Sequence, residues 1–389
     1  MIGARLKQAR LLAGMTQSEL ASALGENGLK ITAAAISKYE REKSYPSAQF
    51  MLLGAQVLEV PSSYFLRQPT RSVEWIGFRC RARLGESARN IIKAYAADRA
   101  EAQSELRDLL HPERDFDFPS IPVSSLEDAE RAAEKLRDLW DVGDRPLDNL
   151  VQMAEDREVI VIDWADKTEL FDGLSGWCGD RPVTAINSQF PLDRRRLTLA
   201  HEIGHLVMDT SFSPDVDDEA LAFRFAAALL VPGPHVSKEL PDKTRYLSWD
   251  ELKVLKRKYG LSISAWVRRA FDQNVISYST YKAMNIEYRT RGWHRGEPEQ
   301  YIGDEEPLLL KQMAGRAIAE GLVAPDKYSH LQLTNAGSDE DILPRGEFPS
   351  ATDLLEMDEE ERQRWIGQMF KWAENVDFEV FEAYGEEDF

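Results

Sequence analysis

The chain has 389 residues, with 48 Lys and Arg against 67 Asp and Glu, for a formal net charge of −19. At roughly 150 residues per domain this length predicts two or three domains. A composition of 43% hydrophobic and 30% charged residues excludes both a disordered and a collagen-like chain, and no window approaches the roughly 20 apolar residues of a membrane span. The basic start, Met1 to Arg10, runs into polar Thr16, Gln17, Ser18 and Glu19, unlike a secretory signal. Cys80 and Cys178, the two cysteines, allow at most one bridge and suit thiols kept reduced. These features predict a cytoplasmic protein with no membrane partner. Charge is unevenly spread: segment 1–68 holds eight basic and five acidic residues, a net +3, which leaves −22 for the remainder. A mildly basic module on an acidic body can bind DNA through that one face.

Apolar residues recur at helical spacing from Ala4 to Ala13, and Gly14 ends the run. Thr16 with Glu19 three residues later reads as a capping box opening a second helix. Thr32 caps a third, up to Glu42, and short helices at Ser47–Leu58 and Pro61–Leu66 complete a five-helix bundle. A charge-laced helix from Glu86 to Leu110 follows, then the Pro- and Asp-containing stretch His111 to Pro122, read as a domain boundary. Helices at Leu126–Trp140 and Leu147–Glu155 precede two β-branched strands, Glu158–Asp163 and Pro182–Asn187, with Gly-rich Asp172 to Trp177 between them. Arg194–Asp209 and Val216–Val231 are helical, the second stopped by Pro232 and Pro234. Further helices are expected at Trp249–Tyr259, Ile263–Asn274, Tyr278–Arg291 and Pro307–Gly321, then an acidic, helical tail. Trp249, Trp266, Trp293, Trp365 and Trp372 read as core residues rather than a ligand cage.

The sharpest chemical feature is Thr198-Leu-Ala-His201-Glu202-Ile-Gly-His205. His201 and His205, four residues apart, stand about 40° apart on one helix face, so both imidazoles can grip one ion. Glu202 lies beside the pair, placed to take a proton from an attacking water without being a ligand. Leu199, Ala200, Ile203, Gly204, Leu206 and Val207 are uncharged, as a buried, dry site requires. The next acidic cluster is Asp215, Asp217, Asp218 and Glu219; Glu219, followed one turn later by small Ala222, is the expected third ligand, with Asp218 as the fallback. Two neutral imidazoles, one carboxylate and an open position predict Zn2+, with Mn2+ or Fe2+ as the alternative ions. His235, Arg245 and Tyr246 follow the metal helices as candidates to hold an oxyanion.

Segment 1–68 resembles the Xre family of helix-turn-helix regulators through Thr16-Gln-Ser-Glu-Leu-Ala21, Leu24-Gly25 and Ala35-Ile-Ser-Lys-Tyr-Glu40. The resemblance implies double-stranded DNA as partner, with Thr32 to Arg41 as the recognition helix. Gln17 would then lie near phosphate, Thr32, Ala33 and Ala34 near bases, and Ser37, Lys38, Arg41 and Lys43 on phosphate. The turn Glu26 to Lys30 is longer than the family's usual one. Residues from about 123 to 240 resemble the ImmA/IrrE family of metallo-endopeptidases through Asp172-Gly-Leu-Ser-Gly-Trp177, Arg194 to His205, and Glu219-x-x-Ala-x-x-Phe-Ala-Ala-Ala-Leu-Leu-Val-Pro232. Asp209 replaces a histidine that many relatives carry one turn beyond the motif.

The fold class expected is α+β, mostly helical, and in order along the chain: a five-helix helix-turn-helix domain (1–68), a helical connector (69–122), a zincin-like metallopeptidase domain with a small sheet (123–245), and a helical C-terminal region (246–389). The two resemblances imply a DNA-binding regulator whose peptidase, with Glu202 catalytic and His201, His205 and Glu219 on zinc, cleaves a regulatory protein in stress, mobile-element or toxin-antitoxin settings; half-site geometry predicts a homodimer. The other reading is a non-enzymatic DNA-binding sensor or antitoxin on the same zinc-stabilised fold.

Overall fold

The computed structural model describes residues 2–67, 71–80, 84–112, 117–143, 145–165, 170–211, 216–241 and 246–331. The acidic tail with Trp365 and Trp372, and Arg245, lie outside them. The described chain is mostly helical with a small mixed sheet. The N-terminal bundle comprises α1 (Ile2–Leu12), α2 (Gln17–Glu26), α3 (Ala33–Glu40), α4 (Ala48–Val57) and a closing 3-10 helix, Ser62–Leu66. Its caps are those the sequence announces. Thr16 and Glu19 form both halves of the capping box, and the Thr32 side chain accepts from Ala35 N at 3.2 Å. Leu6, Leu20, Leu24, Ile36, Phe50 and Phe65 fill its core.

The segment expected to be a helical connector contributes a strand as well as a helix: β1 (Val73–Cys80), then α5 (Glu86–Leu110). After β2 (Ile121–Pro122) come α6 (Leu126–Leu139), α7 (Leu150–Asp156), β3 (Ile160–Trp164), β4 (Phe171–Cys178), β5 (Arg181–Asn187), α8 (Leu192–Val207), β6 (Met208–Asp209), α9 (Asp218–Leu230) and α10 (Gly233–Glu239). The Gly-rich stretch expected between two strands is therefore itself a strand. The main sheet runs β1-β4-β5-β3; β4 is antiparallel to both neighbours, and β3 is parallel to β5. A second, two-stranded sheet pairs β2 with β6, so the end of α8 is tied to the chain ahead of α6.

Alternation along the strands gives the main sheet two different faces. Ile160, Ile162, Leu174, Val183 and Ala185 pack with Ile92, Ala96 and Ala100 of α5. Val161 and Ile186 point the other way, into a larger core with Leu199, Ala200 and Ile203 of α8 and Leu221, Phe225 and Leu229 of α9. That core does not stop at 245. It includes residues of α11 (Trp249–Tyr259), α12 (Ile263–Asp272) and α13 (Tyr278–Thr290), with Trp266 fully buried. Finally α14 (Leu309–Ala319) returns to pack Met313, Ala314 and Ala317 against Ala102 and Leu106 of α5. Among the described residues no single helix is long and apolar enough to cross a membrane.

The bundle sits on α5. Asp98, Glu101 and Glu105 are spaced to share one helix face, and the first two receive it. Tyr64 donates to Asp98 Oδ1 at 2.9 Å, and Arg5 Nη1 donates to Glu101 Oε2 at 2.5 Å. The end of the described chain joins the same stripe: Lys327 Nζ and Tyr328 OH donate to Glu105 at 2.5 and 3.0 Å, and His330 Nε2 lies 3.2 Å from Asp98 Oδ2. Arg67 also donates to the Lys327 carbonyl.

Candidate metal centre and nucleic-acid interface

Helix α8 is held by its arginines. Arg196, fully buried, pairs with Glu305, whose carboxylate also accepts from the N–H groups of Leu150 and Val151 at the start of α7. Arg195 donates to the Glu305 carbonyl at 2.8 Å, and Arg194 pairs with Asp172 of β4. Lys256, also buried, bridges Asp193 at 3.1 Å and Glu297 at 2.9 Å. Glu305 and Glu297 lie between α13 and α14, in a segment for which the sequence predicts no helix or strand. Glu297 accepts from Tyr288 nine residues away at 2.9 Å, but its lysine and the partners of Glu305 are more than 30 residues distant, and no local signal reveals those.

So fixed, α8 carries His201 fully buried and His205 one turn on, their rings edge to face at 4.7 Å between centroids. Asp217 caps α9, accepting from Ala220 N at 3.2 Å, and sets Glu219 in the first turn. Glu219 Oε2 lies 3.4 Å from His201 Nε2, Glu219 Oε1 lies 3.4 Å from His205 Nε2, and the two Nε2 atoms are 3.1 Å apart. In a tetrahedral shell with bonds of about 2.0–2.1 Å, neighbouring ligand atoms stand about 3.3 Å apart. The donor triangle therefore fits an ion of that kind, and the sequence-predicted trio His201, His205 and Glu219 is brought together without Asp218. Burial and the neighbouring His201 hold the pKa of His205 below its usual value, which favours the neutral imidazole a metal needs. Phe223, one turn beyond Glu219, packs its ring 4.5 Å from that of His201, a neighbour that sequence reasoning missed.

Glu202 is buried at 1% exposure beneath the sheet. Two glycines make room for it. A Cβ on Gly173 of β4 would stand 2.5 Å from Glu202 Oε1, and one on Gly77 of β1 would stand 3.7 Å from Oε2 and 3.8 Å from His205 Cδ2. Glycine inside a strand commonly marks such a close approach. Ser175 Oγ, fully buried, lies 3.0 Å from the place of that Gly77 Cβ and has no hydrogen-bond partner among the described residues. Two of the oxyanion candidates make contacts of their own: His235 packs near Tyr259, and the Tyr246 hydroxyl donates to Glu287. Asp209 accepts from Ser211 N at 3.0 Å.

Thr32, Ala34, Lys38, Arg41 and Lys43 are exposed, while Ala33 and Ser37 are half-buried. Gln17 is turned inward, its amide donating to Glu40 Oε2 at 2.7 Å, where Arg10 also binds Glu40. The face that carries the cations is thus open to a ligand while the bundle is docked.

Comparison with known protein families matches residues 6–65 to a helix-turn-helix domain and residues 157–271 to the IrrE N-terminal-like domain. The second match runs from the end of α7 through most of α12. No curated protein matches the chain.

Proposed function

We propose that this fusion of a helix-turn-helix DNA-binding domain with an IrrE-type metallopeptidase domain is a cytoplasmic transcriptional regulator whose zinc-dependent endopeptidase cleaves a regulatory protein, either a partner repressor or a second copy of itself. The observation that carries the reading is the convergence of His201, His205 and Glu219 within 4.8 Å of one another, with the carboxylate of Glu202 buried next to them. A site that only held a metal for stability would use a closed ligand set and would have no need of Glu202.

His201, His205 and Glu219 would hold the ion, which when bound supplies Lewis acidity at the scissile carbonyl and lowers the pKa of the attacking water. Glu202 takes a proton from that water and returns it to the leaving nitrogen, so peptide and water become carboxylate and amine. The apolar flanks of α8 exclude bulk water and strengthen these charges. Lys38 and Arg41 bind phosphate of an operator, Thr32, Ala33 and Ala34 face its bases, Ser37 adds a backbone contact, and a homodimer matches two half-sites.

The test is intact-mass analysis of zinc-loaded wild type beside Glu202→Gln, each incubated with the DNA-binding repressors and small proteins encoded next to it. Cleavage by wild type alone is expected. A non-enzymatic DNA-binding sensor or antitoxin is the second reading, favoured by the enclosure of Glu202 between β1 and β4; it gains if the two proteins behave alike with metal bound.

A further inference from the structure

Strand β1 lies outside residues 157–271, the part of the chain that matches the peptidase family. Without it, β4 is the edge of a three-stranded sheet β4-β5-β3. An open edge beside a catalytic carboxylate is a place where an extended peptide can pair through its main chain. In this chain the place is taken. β1 runs antiparallel along β4, from Val73 opposite Cys178 to Cys80 opposite Phe171. The residue it brings to the site is Gly77, opposite Ser175 and close to both Glu202 and His205.

The pairing is irregular there. Between Trp75 and Gly77 the register shifts, so that Ile76 has no partner on β4 and stands 58% exposed. A second shift follows between Arg79 and Cys80. None of residues 73–77 is buried, whereas in β4 every residue except Trp177 is. The buried Ser175 hydroxyl faces the Gly77 backbone without a hydrogen-bond partner among the described residues, a polar group that a different strand could satisfy.

We infer that β1 is this chain's own occupant of the peptide-binding edge, and that a substrate segment enters by displacing it. The inference rests on the peptidase reading of the metal centre. It also names a regulator of that site, because β1 begins six residues after Arg67, which belongs to the docked bundle. An event that lifts the bundle from α5 pulls on β1.

The experiment is hydrogen exchange by mass spectrometry on the zinc-loaded full chain, with and without an extended tripeptide capped by a hydroxamate. Expected is a gain of protection at 201–207 together with at least a tenfold loss at 73–80. Protection at 201–207 with unchanged or increased protection at 73–80 overturns the inference, since the probe would then be adding to the outer edge of a fixed wall. A second variant keeps the test sharp: Glu74→Cys with Trp177→Cys, directly opposite each other, in a Cys80→Ser, Cys178→Ser background. Its oxidised form should lose the probe's effect and its reduced form regain it; equal binding by both forms counts against displacement. No protection at 201–207 in any form removes the peptidase reading itself, a result distinct from the other two.

Discussion

The two faces of the main sheet carry different kinds of structure. On one, α8 is embedded in an apolar core and its carboxylate Glu202 is fitted closely against Gly173 of β4. On the other, α5 packs its apolar side on the sheet and presents Asp98, Glu101 and Glu105 to the bundle and the end of the described chain. Close packing is intolerant of small changes and holds one arrangement. Ion pairs and hydrogen bonds between ionisable groups make a joint whose strength follows the protonation of its members. The site face is built for fixed geometry and the docking face for release.

The sharpest way to break this contrast is Gly173→Ala. The added methyl would meet Glu202 Oε1 at 2.5 Å and Thr198 Cγ2 at 2.8 Å, so the carboxylate must move. Displacements on that scale cost about 100-fold in rate, with zinc content by atomic absorption unchanged; wild-type turnover would show that the face is not tightly fitted. Asp98→Ala probes the other side. It strips the Tyr64 hydroxyl of its buried acceptor, at a cost of about 1–3 kcal/mol. Exchange at 62–67 should rise while exchange in α8 stays as it was, and a parallel rise in both would show a single cooperative unit.

The docking face should also respond to pH. Burial, outweighing the attraction of Arg5, raises Glu101 to about 7. A carboxyl with a raised pKa in the folded state contributes stability that is full below the unfolded value of 4.5 and is lost as pH climbs to about 7. Docking, followed by exchange at 62–67, should therefore weaken from pH 5 to pH 8, and Glu101→Gln should flatten that trend. The smallest effect is expected at α3. Lys38→Ala or Arg41→Ala should each reduce the salt slope of DNA binding by about 1, measured by titration at several salt concentrations, with no change in docking.

What could be read from sequence follows the reach of the signals. His201, Glu202 and His205 are legible because one helix turn brings them together, and Glu219 because it opens the next helix. The caps at Thr16 and Thr32 are equally local. β1 was not legible: its alternation is interrupted at Ile76 by the register shift, and it pairs with a strand almost 100 residues later. β4 hides behind Gly173 and Gly176, residues that sequence rules assign to turns, although here the glycines serve the contacts of a strand's neighbours. The carboxylate stripe on α5 appears in sequence as an ordinary solvated face, because its partners Arg5, Tyr64 and Lys327 come from the two far ends of the described chain.

The short span between the bundle and the sheet has a consequence for geometry on DNA. From Arg67 to Val73 the backbone advances six residues, a leash of at most about 20 Å when fully stretched. Half-sites one helical turn apart are separated by about 34 Å. Two copies seated on such an operator would carry their bodies within reach of each other, with neither able to swing clear. The spacing of the DNA sites would then act as a ruler for the distance between the two copies of α8, and lengthening the operator by half a turn would set them on opposite sides of the duplex.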